Sequence, residues 1–181
     1  MKIACLGWGS LIWHPDGLKV DGVWRENGPQ LPIEFTRQSD NDRITLIVDP
    51  VAKPITVLWS LMSMNILEDA IASLQERERT GKRGIHHVVA NDKTDDVVKS
   101  TVLAWLNTVN LDAAIWTGLS YNRRINDGVR LSLDYVIQHL KSTSGETRVI
   151  AEEYIRKTPK QIKTEYRRAI EQELGWTALS S

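Results

Sequence analysis

Apolar and polar positions alternate along much of the first half of the chain and recur at helical spacing along the last third. Residues 3–6 form an unbroken apolar run, which predicts a short buried strand. Residues 31–37 and 43–49 each alternate apolar with polar side chains. Ser39, Asp40, Asn41 and Asp42 between them are turn formers, so the pair reads as a β-hairpin. A further strand is predicted over residues 55–61, after Pro50 and Pro54. Residues 16–30, with Gly17, Gly22, Gly28 and Pro29, read as an irregular loop.

The period then lengthens. Leu67, Ala70, Ile71 and Leu74 predict a helix over about residues 66–79, with Asn65 as its cap and Glu68 completing a capping-box pattern. Residues 101–106 and 113–117 read as two short strands. From residue 131 the stripe Leu131, Leu133, Val136, Ile137 and Leu140 is helical, and it ends before Ser142 to Gly145. A second helix is predicted through residues 149–155. A third opens at Thr158 and Pro159, with Gln161 completing the start signal, and Gly175 ends it. The whole predicts an α+β protein. Residues 1–130 form its strand-rich domain and residues 131–181 a helical extension packed on the same domain.

One charge breaks the first helical stripe. Positions 67, 71 and 74 continue to 78, and residue 78 is glutamate. At about 100° per residue, seven steps from Ile71 return to within roughly 20° of the same direction. Glu76 lies well off that line and is expected in solvent. A carboxylate on an apolar face is costly unless it is paired, hydrogen-bonded or protonated. Desolvation raises the pKa of such a group toward neutrality, the range a general acid or base needs. The same phase suits a glutamate that simply pairs with Arg77, Arg79, Lys82 or Arg83 near a helix end.

The first strand runs into Gly7-Trp8-Gly9-Ser10-Leu11. Glycines at 7 and 9 permit unusual backbone torsions and leave N–H groups accessible, and successive amides of this kind form a nest for an anion or oxyanion. No Gly-Lys-Ser/Thr follows, so this is not a P-loop, and it is not G-x-G-x-x-G. Taken alone, the segment serves equally well as a tight turn.

Composition narrows the function classes. Lys plus Arg and Asp plus Glu number 23 each, so no global charge points to nucleic acid or an anionic membrane. The single cysteine, Cys5, excludes an internal disulfide and suits a reducing compartment. No run approaches the ~20 apolar residues of a membrane span, and no cleavable signal is evident, so the expected location is cytoplasmic. Seven tryptophans stand against one phenylalanine, and bulky core filling explains most of them.

The glycine segment and Glu78 together are more specific than either alone. Gly-Trp-Gly-Ser-Leu after an N-terminal strand resembles the Tyr-Gly-Ser-Leu/Asn loop of the γ-glutamylcyclotransferase-like families. The longer string from Gly7 to Trp13, with Pro15 behind it, is most similar to the ChaC-type branch, which degrades glutathione. Leu74-Gln-Glu-Arg-Glu78 is similar to the family's leucine-acid-x-x-glutamate segment, whose last glutamate is catalytic. Trp8 stands where the family usually has tyrosine. The resemblance covers roughly residues 3–90 and leaves the last third unmatched.

The resemblance implies a small mixed β-barrel and a cyclisation that releases 5-oxoproline from a γ-glutamyl compound. Glu78 would be the acid/base. Gly7, Trp8, Gly9, Ser10 and Leu11 would bind substrate, largely through backbone amides. It implies a small-molecule γ-glutamyl partner and no metal or other cofactor. The rival reading is a catalytically silent protein that binds a small γ-glutamyl-like or anionic ligand.

Other features weigh less. Tyr121 and Asn122, after a predicted strand end, are candidate pocket-lining residues. His86 and His87 are adjacent, so on a strand they point to opposite faces and do not converge on one metal. His14 is expected at the surface and Cys5 as an inert core thiol. Ser10 lacks a nucleophile elbow. Arg123 and Arg124, and the run Arg156, Lys157, Lys160, Lys163, Arg167 and Arg168, are the basic concentrations. The run reads as a solvated face that also suits an anionic partner; nucleic acid is not expected, because no aromatic platform accompanies it.

Overall fold

The computed structural model describes residues 1–122 and 127–179, so Arg123 and Arg124 lie outside the described residues. Strand β1 (Ile3–Gly7) is buried at every position. The reason is its place in a four-stranded sheet, antiparallel to β5 (Leu58–Leu61) on one side and parallel to β7 (Ala113–Thr117) on the other. A strand covered in this way reads as a continuous apolar run. Strand β6 (Ile85–Val89) completes the order β5-β1-β7-β6. Helices α1 (Leu67–Glu78) and α2 (Val97–Val109) pack against β6 and β7.

Two expectations fail in this part of the chain. Residues 101–106 are not a strand but the middle of α2. Asp96 caps that helix by accepting from the Lys99 N–H at 2.9 Å, and the buried Val102, Trp105 and Leu106 stand at helical spacing. The predicted cap of α1 is also absent. The helix starts from Ile66 with no side-chain cap, and Asn65 instead offers its carbonyl to the N-terminal ammonium at 2.9 Å.

A second sheet has the order β3-β2-β4, from β2 (Gln30–Gln38), β3 (Ile44–Val48) and β4 (Pro54–Thr56). The β2–β3 hairpin forms as predicted, with a register shift between Glu34 and Arg37. The single strand expected over residues 55–61 is divided at Val57, with β4 in this sheet and β5 in the other. Neither sheet closes on itself among the described residues: one ends in β5 and β6, the other in β3 and β4. The architecture is α+β as expected, and the implied barrel is not formed.

Among the described residues three helices follow, α3 (Leu133–Ser142), α4 (Gly145–Lys157) and α5 (Glu165–Leu174), with α3 packed on α5. The third predicted helix starts later than Thr158, because Thr164 is the residue that caps α5, accepting from the Arg167 N–H at 3.1 Å. Gly175 ends α5 in the left-handed conformation at φ 72°, as expected.

The chain divides into two compact units that interleave along the sequence. One contains residues 1–7, 14–31 and 56–119, and the other residues 8–13, 32–55 and 120–181. The interleaving follows from β1, which completes its sheet with strands more than fifty residues away. No described helix is long and apolar enough to cross a membrane.

Candidate functional site

The first unit carries the candidate acid. Glu78 is the last residue of α1, and its side chain is 13% exposed, so it turns inward as the helical phase predicts; Glu76 is exposed. Its Oε1 accepts from Arg77 Nη1 at 2.8 Å. Arg77 also donates from Nε and Nη2 to the His14 carbonyl, at 3.2 and 2.7 Å. One guanidinium thus ties the end of α1 to the chain after the glycine segment and carries the glutamate with it. The next residue, Arg79, turns the chain out of the helix in the left-handed conformation.

The carboxylate also lies close to β1. Burial pushes the Cys5 thiol up to about 12, and the negative charge of Glu78 adds to that rise while Arg77 opposes it. A thiol held protonated and fully buried is inert, as the sequence suggests. Gly7 closes β1 opposite Leu58 and leads directly into Trp8.

The segment from Trp8 belongs to the second unit and differs from the expected exposed cradle. Gly7, Trp8, Gly9 and Leu11 are buried, and Ser10 is half-buried. Among the described residues the glycines with left-handed φ are Gly17, Gly22, Gly128, Gly145 and Gly175, so torsional freedom is not what places glycine at 7 and 9. At Gly9 the requirement is space: a Cβ there would meet the Tyr154 hydroxyl at 2.6 Å. The Gly9 carbonyl accepts from the Ile12 N–H at 3.1 Å, which folds the segment into a turn.

Tyr121 and Asn122 are engaged in holding the second unit together. The Tyr121 hydroxyl donates to Asp49 Oδ1 at 3.0 Å, and burial, followed by this carboxylate, pushes its pKa up to about 12. Asn122 donates to the Gln38 carbonyl at 2.9 Å and to Asp40 Oδ1 at 3.1 Å, bracing the hairpin turn.

Several polar residues central to this unit were not singled out by the sequence. Asp49, with a fully buried side chain, accepts from Arg130 Nε at 2.7 Å, and Arg130 Nη1 donates to the Tyr166 hydroxyl at 2.7 Å. Glu34 accepts from the N–H groups of Phe35 and Tyr166 at 2.9 and 3.2 Å, and burial raises its pKa. These acids have their acceptor capacity met from within the unit, which makes them structural. Arg167 does not lie on the basic face that its stretch suggests but is buried, donating to the carbonyls of Thr158, Pro159 and Ile162. Arg156 and Lys157 pair with Glu152 and Glu153. The basic run is thereby broken up.

No protein-family model, curated protein or solved structure matches this chain.

Proposed function

We propose that the protein cyclises a γ-glutamyl compound to 5-oxoproline, with Glu78 as the acid/base. The observation that supports this reading is the inward carboxylate of Glu78, held by Arg77 at 2.8 Å at the end of α1 and close to the strand that leads into Gly7-Trp8-Gly9-Ser10-Leu11. In this reading the substrate's α-nitrogen attacks its own γ-carbonyl carbon, a five-membered ring closes, and the bond to the leaving nitrogen breaks. Two protons leave the α-ammonium and two reach the departing amine, with Glu78 passing them across. Having nucleophile and electrophile in one molecule supplies much of the proximity benefit. The resemblance assigns the glutamyl group and its developing oxyanion to backbone amides of Gly9, Ser10 and Leu11. The reaction requires no metal, nucleotide or covalent nucleophile, and it suits a cytoplasmic setting in which such compounds are substrates.

The Arg77 clamp also favours a second reading. A guanidinium that grips both the His14 carbonyl and Glu78 is well suited to anchoring the chain, and a silent ligand-binding protein needs nothing more of that glutamate.

Incubation with glutathione and a panel of γ-glutamyl amino acids and amines, followed by an assay for 5-oxoproline, separates the two. Release that falls on the order of 10³-fold in Glu78→Gln, with the thermal midpoint retained, supports the enzyme. Release that survives in Glu78→Gln removes it from the chemistry. No release by the parent protein, with γ-glutamyl ligands still bound, favours the silent binder.

A further inference from the structure

Tyr154 lies on α4, in the third of the chain that the family resemblance leaves unmatched. Its ring is held on several sides within the second unit. Trp13 meets it edge-on at 5.5 Å and Phe35 at 6.4 Å, and the Arg43 guanidinium lies 5.5 Å from its centre. The hydroxyl accepts from the Leu46 N–H at 3.4 Å, and the residue is 7% exposed. Neighbours on these sides restrict the phenol's movement. Its oxygen is the atom that occupies the space a side chain at Gly9 would need, whereas the next nearest atom, Cζ, stands at an ordinary 3.5 Å.

We infer that Tyr154 is the positioning residue of the glycine segment: its hydroxyl, packed where Gly9 has no side chain, fixes where the backbone of residues 9–11 lies. The inference rests on the cyclotransferase reading for the role of that backbone. Amides aimed at a developing oxyanion lose effect steeply when displaced, so a shift of the segment lowers kcat more than it alters KM. The phenol acts through the loop and takes no proton, so the pH profile of the reaction stays where the parent's is.

A double-mutant cycle in the full chain tests this, read as 5-oxoproline release from glutathione and the γ-glutamyl panel alongside the thermal midpoint. Tyr154→Phe lowers kcat about tenfold with KM within about twofold. Gly9→Ala, whose methyl meets the hydroxyl, lowers it about 100-fold. Independent effects would multiply to about 1,000-fold, whereas removing the hydroxyl makes room for the methyl, so the double variant stays within about threefold of Tyr154→Phe alone. Multiplying losses, a Gly9→Ala variant with parental activity, or a Tyr154→Phe effect confined to KM overturns the inference and leaves the cyclotransferase reading intact. No release by the parent protein overturns both. Where Gly9→Ala fails to fold, the kcat-against-KM split of Tyr154→Phe decides, and recovery of folding in the double variant supports the contact.

Discussion

Two arginines are almost wholly withdrawn from water, Arg77 at the end of α1 and Arg167 in α5, with side-chain exposures of 11% and 2%. They do different jobs. Arg167 reaches three peptide carbonyls, those of Thr158, Pro159 and Ile162, at 2.6 to 3.0 Å, and its acidic partner Glu171 is itself 33% exposed. Burial pushes the Arg167 pKa down, and the carbonyl cluster keeps the cation acceptable there. Arg77 donates to the His14 carbonyl, and its partner Glu78 is half-buried beside it at 13% exposure. A guanidinium bound chiefly to peptide oxygens closes a turn. One withdrawn together with its acid keeps a carboxylate turned inward beside it.

The contrast predicts unequal losses. Arg167→Met leaves three carbonyls without their donor, and the loss of such a buried charged donor is expected to cost about 3–5 kcal/mol in urea unfolding. A loss under about 1 kcal/mol would make Arg167 an ordinary surface residue and erase the difference. Arg77→Met is milder, about 2 kcal/mol, and adding Glu78→Gln recovers about 1 kcal/mol of it by removing the stranded charge. If the two losses simply add, the pair is not coupled.

The acids sharpen the same comparison through pH. Arg25 holds the Asp21 carboxyl down at about 2, below its ordinary 3.8, so its contribution is full above about pH 4 and is lost as pH falls toward 2. Burial raises Glu34 above its ordinary 4.5. The unfolded chain then releases that proton first, and the native state is increasingly penalised as pH rises past 4.5 toward the folded value. Denaturation midpoints across this range should converge for parent and Asp21→Asn on acidification. Against Glu34→Gln, the parent should lose ground as pH rises; a parallel pair of curves would contradict either assignment. The smallest effect belongs to the exposed Lys157–Glu153 pair on α4, where Lys157→Ala should cost about 0.3–0.5 kcal/mol and less in high salt.

Features set by local pattern were legible in the sequence. The apolar run of β1, the alternating hairpin and the inward phase of Glu78 each follow from one short window. Helix α2 was not, since Val, Thr and Trp favour strands and suggested one, although Val102, Trp105 and Leu106 carry the spacing of a buried helical face. Arg167 is one of six basic residues in its stretch, and only the tertiary placement of the turn carbonyls distinguishes it. Tyr154 likewise sits in an unremarkable helical stripe; what matters is where its oxygen ends, against Gly9. Glycine at 7 and 9 suggests an accessible, torsionally unusual backbone, but the structure buries both and neither has a left-handed φ.

Val57, the single residue between β4 and β5, has a further consequence. Its N–H donates to the Pro29 carbonyl at 3.0 Å and its own carbonyl accepts from Gly28 at 3.1 Å, so the joint is tied on both sides. Side chains along a strand change face with every step, so lengthening the joint by one residue would invert β5 wholesale. Trp59 would be turned away from Asn27, Arg25 and Trp105. Insertions are ordinarily tolerated between secondary-structure elements, but at this joint the count of residues is as constrained as their identity.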